Sequence, residues 1–343
     1  MFGWGKKKEL RLVVDDHPPL LLEANETVLN GALRAGIDFP HSCKVGGCAS
    51  CKCRLVSGKV RELTDKAYLL STEEIRNHYI LGCQSIPLSD VTVALPVNPL
   101  ANQHRAGRVV RQQMLTHDIA EVFIELDAPV RFLPGQYASV EAAGTDMPAR
   151  CYSFAHAAGE EGTATISFFV RRVPDGRMSH WITDTDALGR TVNVNASLGE
   201  FHLREGSGAL VCVAGGSGLA PIIALLEGAL HTDAVQRPVF LLMGARTQRD
   251  LYYRDEIRAL QKQWRAPFEY IPVLSEEPAG SDWAGQRGWV TEALIPEITR
   301  AGAQGYLCGP PPMIDACIGV MASQGMEPSD IFFDKFADQS RAG

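Results

Sequence analysis

The sequence predicts a multidomain chain in which a small α+β unit carrying a cysteine cluster is followed by an antiparallel β-barrel and then a doubly wound parallel α/β unit. Three observations lead there. At roughly 100 to 200 residues per domain, 343 residues hold two or three domains. Nine cysteines are present and five fall between Cys43 and Cys83, a grouping that suits a metal site in a reducing compartment and not a disulfide scaffold. The hydrophobic rhythm changes from short alternating runs before Glu205 to alternating strands and helices after Leu210.

Composition removes several classes of function. With 45% hydrophobic and 21% charged residues the chain has apolar surface enough for real cores, so wholesale disorder is excluded. Its 33 Lys and Arg against 40 Asp and Glu leave a net charge of −7, which provides no molecule-wide basic field for a nucleic-acid backbone. The first residues carry charges without an apolar stretch behind them, so no secretory signal is read and a cytoplasmic location is expected. The uncharged run Ala209 to Leu226 approaches membrane-spanning length, but Gly215-Gly216-Ser217-Gly218 and Pro221 interrupt it. No transmembrane segment is expected.

The elements follow in order. Leu10 to Val14 and Leu20 to Leu22 read as a hairpin, and Glu26 to Gly36 as a helix with Val28, Leu29, Ala32 and Leu33 on one face. A Cys-rich loop and a strand near Val91 to Leu95 come next. The turn-rich run Pro96 to Gln103 marks a boundary, and the units are taken as 1–97, a linker at 98–106, 107–205 and 206–343. Short β-rich runs at Arg108 to Val110, Ala120 to Leu126, Tyr137 to Val140, Thr165 to Val170 and Val192 to Val194 make the barrel, interrupted by a helix near Ser179 to Thr183. Strands at Leu210, Val239, Glu269 and Gly305, with helices from Pro221, Asp255 and Pro312, make the parallel sheet.

Three motifs carry chemistry. Cys43-x4-Cys48-x2-Cys51 with the distant Cys83 has the plant-type ferredoxin spacing for four thiolates around a [2Fe–2S] cluster, and Gly46 and Gly47 let the loop wrap it. A structural zinc site is the alternative, but it more often shows two Cys-x2-Cys knuckles. Cys53 is read as a small hydrophobe on a following strand. Arg150-Cys151-Tyr152-Ser153 supplies a cation, an aromatic ring and a hydroxyl, one for each need of a flavin; Gly176, Met178 and Ser179 would offer amides and a hydroxyl to a phosphate at a helix start. Gly215-Gly216-Ser217-Gly218 with Pro221 is a strand, glycine loop and helix start that departs from Gly-x-Gly-x-x-Gly yet suits close phosphate approach. Cys308-Gly309-Pro310 ends another strand with a stiff backbone and a small thiol, suited to a flat ring.

Over essentially its full length the chain resembles the reductase components of bacterial multicomponent oxygenases, within the ferredoxin–NADP reductase superfamily. The resemblance is carried by Phe39-Pro40-His41-x-Cys43-Lys44-Val45-Gly46, Leu81-Gly82-Cys83-Gln84, Gly244-Ala245-Arg246, Arg249-Asp250-Leu251-Tyr252, Ile271 to Glu277 and Gly305 to Met313. It implies a β-grasp ferredoxin domain, an FAD barrel and an NAD domain. In such families Arg150 would bind the flavin pyrophosphate, Tyr152 would stack on the ring and Ser153 would meet N5; Cys308 would lie beside the nicotinamide and Phe336 over the opposite flavin face. Electrons would pass from NADH through FAD to the cluster and on to an oxygenase, directly or through a separate ferredoxin, from a monomeric protein. A Cys-rich zinc or binding module and a self-contained oxygenase or stand-alone NAD(P)H diaphorase are the rival readings, the oxygenase weakened by the lack of any oxygen-activating metal motif. Membrane di-iron, soluble di-iron and Rieske oxygenases all draw on reductases of this build, so the aromatic-hydrocarbon partner, with peripheral membrane contact if it is a membrane hydroxylase, is an expectation by resemblance. Coenzyme choice stays open from the residues: no acid follows Met243 before Asp250, and Arg246 and Arg249 would suit a 2′-phosphate, while the resemblance implies NADH. Lys44, Lys52, Arg54, Lys59 and Arg61, with no acid between Phe39 and Arg61, suggest a basic docking rim around the cluster loop.

Overall fold

A computed structural model describes residues 9–41, 44–46, 49–70, 72–96 and 103–336. The chain divides into two compact units, Met1–Pro99 and Leu100–Gly343.

In the first unit a five-stranded mixed sheet runs in the order Leu20–Leu21, Arg11–Val14, Val91–Ala94, Lys52–Ser57, Tyr79–Leu81. The helix Val28–Arg34 is capped by Thr27, whose hydroxyl accepts from the Asn30 amide at 3.2 Å. Its Val28, Leu29 and Ala32 pack with Leu12, Val14, Phe39 and Val93 into one core, the β-grasp arrangement. Four strands lie in the stretch expected as loop: Lys52–Ser57, Val60–Glu62, Tyr79–Leu81 and Ser85–Pro87. Three of them are only three residues long, so their pairing, not their apolar pattern, defines them. Cys53 lies on the first of them, fully buried, where burial and then the charges of Asp15 and Cys83 push its thiol far up.

The second unit opens with a six-stranded antiparallel sheet in the order Arg150–Ser153, Tyr137–Ala142, Thr191–Leu198, Gln103–Met114, Ile119–Val130, Thr163–Arg171. A bridge between Phe154 and Phe168 joins its ends into a barrel filled by Val122, Ile124, Val140, Phe168 and Val194. The long strand starts at Gln103, within the stretch expected as linker, because Gln103 pairs with Ala196 and its side chain bonds both the carbonyl (2.6 Å) and the amide (2.9 Å) of Arg131.

A six-stranded parallel sheet follows in the order Gln286–Arg287, Phe268–Leu274, Val239–Ala245, Leu210–Gly215, Gln304–Gly309, Ile331–Lys335. The strand Leu210–Gly215 is buried at every position, as a central parallel strand must be, and its neighbours on either side come later in the chain. That is where the strand order reverses and where ligands enter such sheets. The edge strand Ile331–Lys335 leads directly to Phe336; its Lys335 is buried and paired with Asp315 at 2.8 Å. Barrel and parallel sheet share one apolar core, since Ile119, Ala155, Phe169 and Phe201 pack with Leu219, Ile222, Leu226 and Tyr252. No helix among the described residues is long and apolar enough to cross a membrane.

Candidate functional site

In the first unit two of the four expected ligands are described, Cys51 and Cys83, both buried; Cys43 and Cys48 lie outside the described residues. The Cys83 amide points at Cys51 Sγ at 3.4 Å, and the Gly82 amide donates to the Cys51 carbonyl at 2.9 Å. An N–H aimed at sulfur favours the thiolate a metal cluster needs, so this pair fits the group. The loop coils tightly before Cys51: Lys44, Gly46 and Ala49 have φ of 58°, 77° and 53°. A side chain at Gly46 would strike Gln84 at 2.7 Å, so the loop rests on the residue after Cys83. Lys44 is exposed, whereas Lys52 forms an ion pair with Glu74. That pairing withdraws Lys52 from the expected basic rim.

In the second unit the strand Arg150–Ser153 forms the flavin candidate. The Arg150 guanidinium bonds only the Pro148 and Ala149 carbonyls, at 3.3 and 3.0 Å, and no acidic partner is seen among the described residues. Its charge is therefore available to a phosphate. Tyr152 is partly exposed and tilted against Phe168 at 5.9 Å. The expected helix starts earlier, at Arg177, with Gly176 as its N-cap, and runs only to Thr183. Ser179 lies inside it and its hydroxyl is engaged, accepting from the Val173 amide at 3.3 Å and donating to the Gly176 carbonyl at 3.0 Å. Met178 is buried in the barrel core. The hydroxyl of Ser179 and the side chain of Met178 are thus committed to the fold, leaving backbone alone for a ligand there.

The Gly215–Gly218 loop lies at the end of its strand, with Gly216 at φ 57° and the helix Leu219–Ala229 beginning directly after it. Ser217 is partly exposed and Pro221 buried in the first turn. A Cβ on Gly218 would meet the Cys308 carbonyl at 2.3 Å, so glycine lets this loop touch the end of Gln304–Gly309. Cys308 is fully buried; burial, and then the charge of Asp334, push its thiol up. Pro310 is exposed at the head of the helix Pro311–Ser323, and the Phe336 amide donates to the Gly309 carbonyl at 2.9 Å. Cys308, Gly309 and Phe336 therefore converge on the crevice.

Several residues escaped the sequence reading. Asp334 is the register partner of Cys308, and Ser153 Oγ lies 3.4 Å from its Oδ2. Burial raises this carboxyl to about 6, with the Ser153 bond pulling the other way. Tyr252 donates to the Gly216 carbonyl at 2.8 Å and so holds the phosphate-type loop. Arg246 is not the unpaired cation expected: it bonds Asp250 at 3.1 Å and lies 3.8 Å from Asp118, which in turn holds Arg171 at 2.9 Å. Burial works against the Asp250 charge, but bonds from Thr247 and Arg246 hold its carboxyl below the usual range.

Family profiles match the chain in three consecutive places: a 2Fe-2S iron-sulfur cluster binding domain at residues 18–88, an oxidoreductase FAD-binding domain at 106–203 and an oxidoreductase NAD-binding domain at 212–318. The xylene/toluene monooxygenase electron transfer component of Pseudomonas putida is 44% identical over 314 residues, 91% of this chain and 89% of that protein. The chain belongs to the reductase components of oxygenase systems. The toluate 1,2-dioxygenase electron transfer component of the same species is 32% identical over 94% of this chain and 96% of its own. Among solved structures, an Amycolatopsis cytochrome P450 reductase superposes with a TM-score of 0.73 at 31% identity, covering 96% of this chain and 99% of that one. The ferredoxin reductase of carbazole 1,9a-dioxygenase superposes with 0.69 at 30% identity over the same shares.

The reductase is thus a ferredoxin-type domain joined to FAD and NAD domains, an oxidoreductase whose electrons serve an oxygenase. In it the Gly218 contact makes a direct forecast. Gly218→Ala should force the glycine loop away from Cys308 and weaken NADH binding roughly five- to a hundredfold in a titration. Such overpacking costs about 1–3 kcal/mol, and the flavin and iron–sulfur spectra should persist. Unchanged NADH affinity would show that the spacing of the two loops is immaterial.

Proposed function

We propose that this reductase draws electrons from NADH and delivers them, as a monomer, to the oxygenase of an aromatic-hydrocarbon system of the xylene monooxygenase type. The observation that carries the partner class is 44% identity over nine-tenths of the chain to a xylene/toluene monooxygenase component. The P450 and dioxygenase relatives show how many terminal enzymes this build serves, so the test is reconstitution. Turnover with a membrane xylene-type hydroxylase should exceed turnover with a Rieske dioxygenase; the reverse order overturns the partner.

Within the reductase, Arg150 would hold the flavin pyrophosphate, Tyr152 the ring face and Ser153 the edge that reacts, with Phe336 near the opposite face. Gly176, Met178 and Ser179 would contribute through their backbone. Gly215, Gly216, Ser217, Gly218 and Pro221 would receive the pyrophosphate of NADH, and Cys308, Gly309 and Pro310 its nicotinamide. Cys43, Cys48, Cys51 and Cys83 would ligate the cluster. When bound, FAD links a two-electron donor to a one-electron iron–sulfur acceptor. The protein's share is placement: Ser153, Asp334 and Cys308 stand on adjacent elements, and Asp334 can hold or release a proton at Oδ2 beside the Ser153 hydroxyl. The pairing of Arg246 with Asp250 engages one of the two cations that would suit a 2′-phosphate while Arg249 stays exposed, so the reading of NADH over NADPH rests on the resemblance to the NADH-type reductases.

Lys44, exposed on the cluster loop beside the 53% exposed Val45, would meet an acidic face of the oxygenase. Long-range steering is screened within about 10 Å at 0.1 M salt. Electron transfer to the true partner should therefore slow as salt rises, and Lys44→Glu should slow it several-fold at low salt, with ferricyanide reduction as the control. A salt-insensitive rate that Lys44→Glu leaves unchanged removes the basic rim.

A further inference from the structure

Between the barrel and the NAD domain a polar network interrupts the shared apolar core. His156 follows the flavin strand by three residues, and Glu227 sits in the last turn of the helix that starts at the glycine loop. His156 Nδ1 lies 2.9 and 3.1 Å from the two Glu227 oxygens, and its Nε2 lies 3.0 Å from Glu121 of the barrel. The Ala157 amide donates to the same Glu227 at 3.1 Å, and Ser167 donates to Glu121 at 3.0 Å. Tyr253, heading the next helix of the NAD domain, places its hydroxyl 3.0 Å from His156 Nε2 and 3.4 Å from Glu121. Its ring stands edge-on to Phe169 of the barrel at 4.8 Å.

Apolar surfaces are non-directional and can slide, whereas a cation held by two carboxylates from two domains specifies one angle. The pair is half-buried, with the His156 and Glu227 side chains 37% and 29% exposed, and such pairs contribute little net stability, which leaves orientation as their use. We propose that the network of His156, Glu121, Glu227 and Tyr253 is a latch that sets the NAD domain on the flavin barrel, with His156 and Glu227 as positioning residues for the reaction between the two cofactors. His156 continues the strand Arg150–Ser153 and Glu227 the helix that follows the glycine loop, so a change at this pair is passed to both sites without touching either. The idea rests on reading Arg150–Ser153 and Gly215–Gly218 as those sites; an error there would show in Ser153→Ala and not in the latch variants.

Charge supports the geometry. Burial disfavours the imidazolium, but the bonds to Glu121 and Glu227 outweigh it and lift its pKa to about 9. The groups facing the ring are Glu121 and Ser167 from the barrel, Glu227 from one NAD-domain helix and Tyr253 from the next, with Glu256 acting on Tyr253. Because the folded value lies above the usual 6.5 of histidine, the latch is fully made at low pH and is lost as pH rises through about 9. Two carboxylates then face each other without a cation.

The test uses the full-length protein with FAD and cluster bound. His156→Gln and Glu227→Gln should each slow flavin reduction by NADH about tenfold in stopped flow, with FAD content kept. The double variant should be no slower than either single one, since a single latch is lost only once. The wild-type rate should fall as pH rises through about 9, and His156→Gln should lack that limb. Two readouts are independent of turnover. Histidine NMR should show His156 titrating near 9 in wild type and lower in Glu227→Gln, and the Ala157 amide should exchange faster in His156→Gln. If His156→Gln fails to retain FAD, Glu227→Gln in the other domain carries the same expectations. Flavin reduction within twofold of wild type in Glu227→Gln, an alkaline limb that survives in His156→Gln, or loss of FAD from Glu227→Gln would each overturn the latch.

Discussion

Cys83→Ser should bleach the iron–sulfur absorbance and abolish cytochrome c reduction, while NADH-driven reduction of ferricyanide at the flavin survives. Cys83 shares with Cys51 the buried pair whose amide-to-sulfur contact suits thiolate ligation. A serine oxygen is a poorer partner for iron, and it would leave the remaining thiolates without the geometry that holds a cluster. Damage should stop at the first unit, because that unit has its own core of Leu12, Val28, Leu29, Ile80 and Val93 and is compact in its own right. Absorbance between 400 and 600 nm, with the two acceptor assays run side by side, checks it. Equal loss of both activities would mean that electrons cannot reach ferricyanide without the cluster, and the modular reading would fail.

Ser153→Ala is expected to slow flavin reduction by ten- to a thousandfold, a few kcal/mol at about 1.36 kcal/mol per tenfold. The hydroxyl sits on a nearly inaccessible strand end, 4% exposed, and faces Asp334 across the domain boundary. Removing it deletes the bond that lowers the Asp334 carboxyl and, on the proposed flavin site, a polar contact to the reacting ring. The titration of Asp334, near 6 in the wild type, should therefore move upward in the variant. For a carboxyl already raised by burial the sign is clear: its protonated form is favoured below about 6 and its charge costs stability above that pH. Stopped flow across pH 5 to 8 with bound FAD reads both effects. An unchanged rate with a fixed profile would remove Ser153 from the site.

Much of this protein could be read from order and spacing. Cysteines separated by four and two residues, a cation, ring and hydroxyl on one strand, and glycines between a buried strand and a helix are local patterns, of which the cysteine spacing is the specific one and the others gain meaning from their order along the chain. The regular alternation after Leu210 announces parallel strands because helices must cover both faces of such a sheet. The strands between Cys51 and Val91 were illegible for the opposite reason: three-residue segments such as Val60–Glu62 and Tyr79–Leu81 are too short for periodicity and exist through their partners. The partners of Ser179 were not legible either, because a hydroxyl near a helix start looks the same whether it faces a phosphate or its own loop, and here it bonds Val173 and Gly176.

By itself the sequence determined the three domains in their order, and it shows the cysteine spacing and the glycine loops, since all of these depend on residues near one another along the chain. Only the tertiary structure decided the pairs that join the domains. Ser153 meets Asp334 across 181 residues, His156 meets Glu227 across 71, and Arg246 turns to Asp118 of the barrel instead of standing free. These contacts depend on the register of an edge strand and on how two cores merge around Phe169 and Tyr252, and no local propensity encodes either.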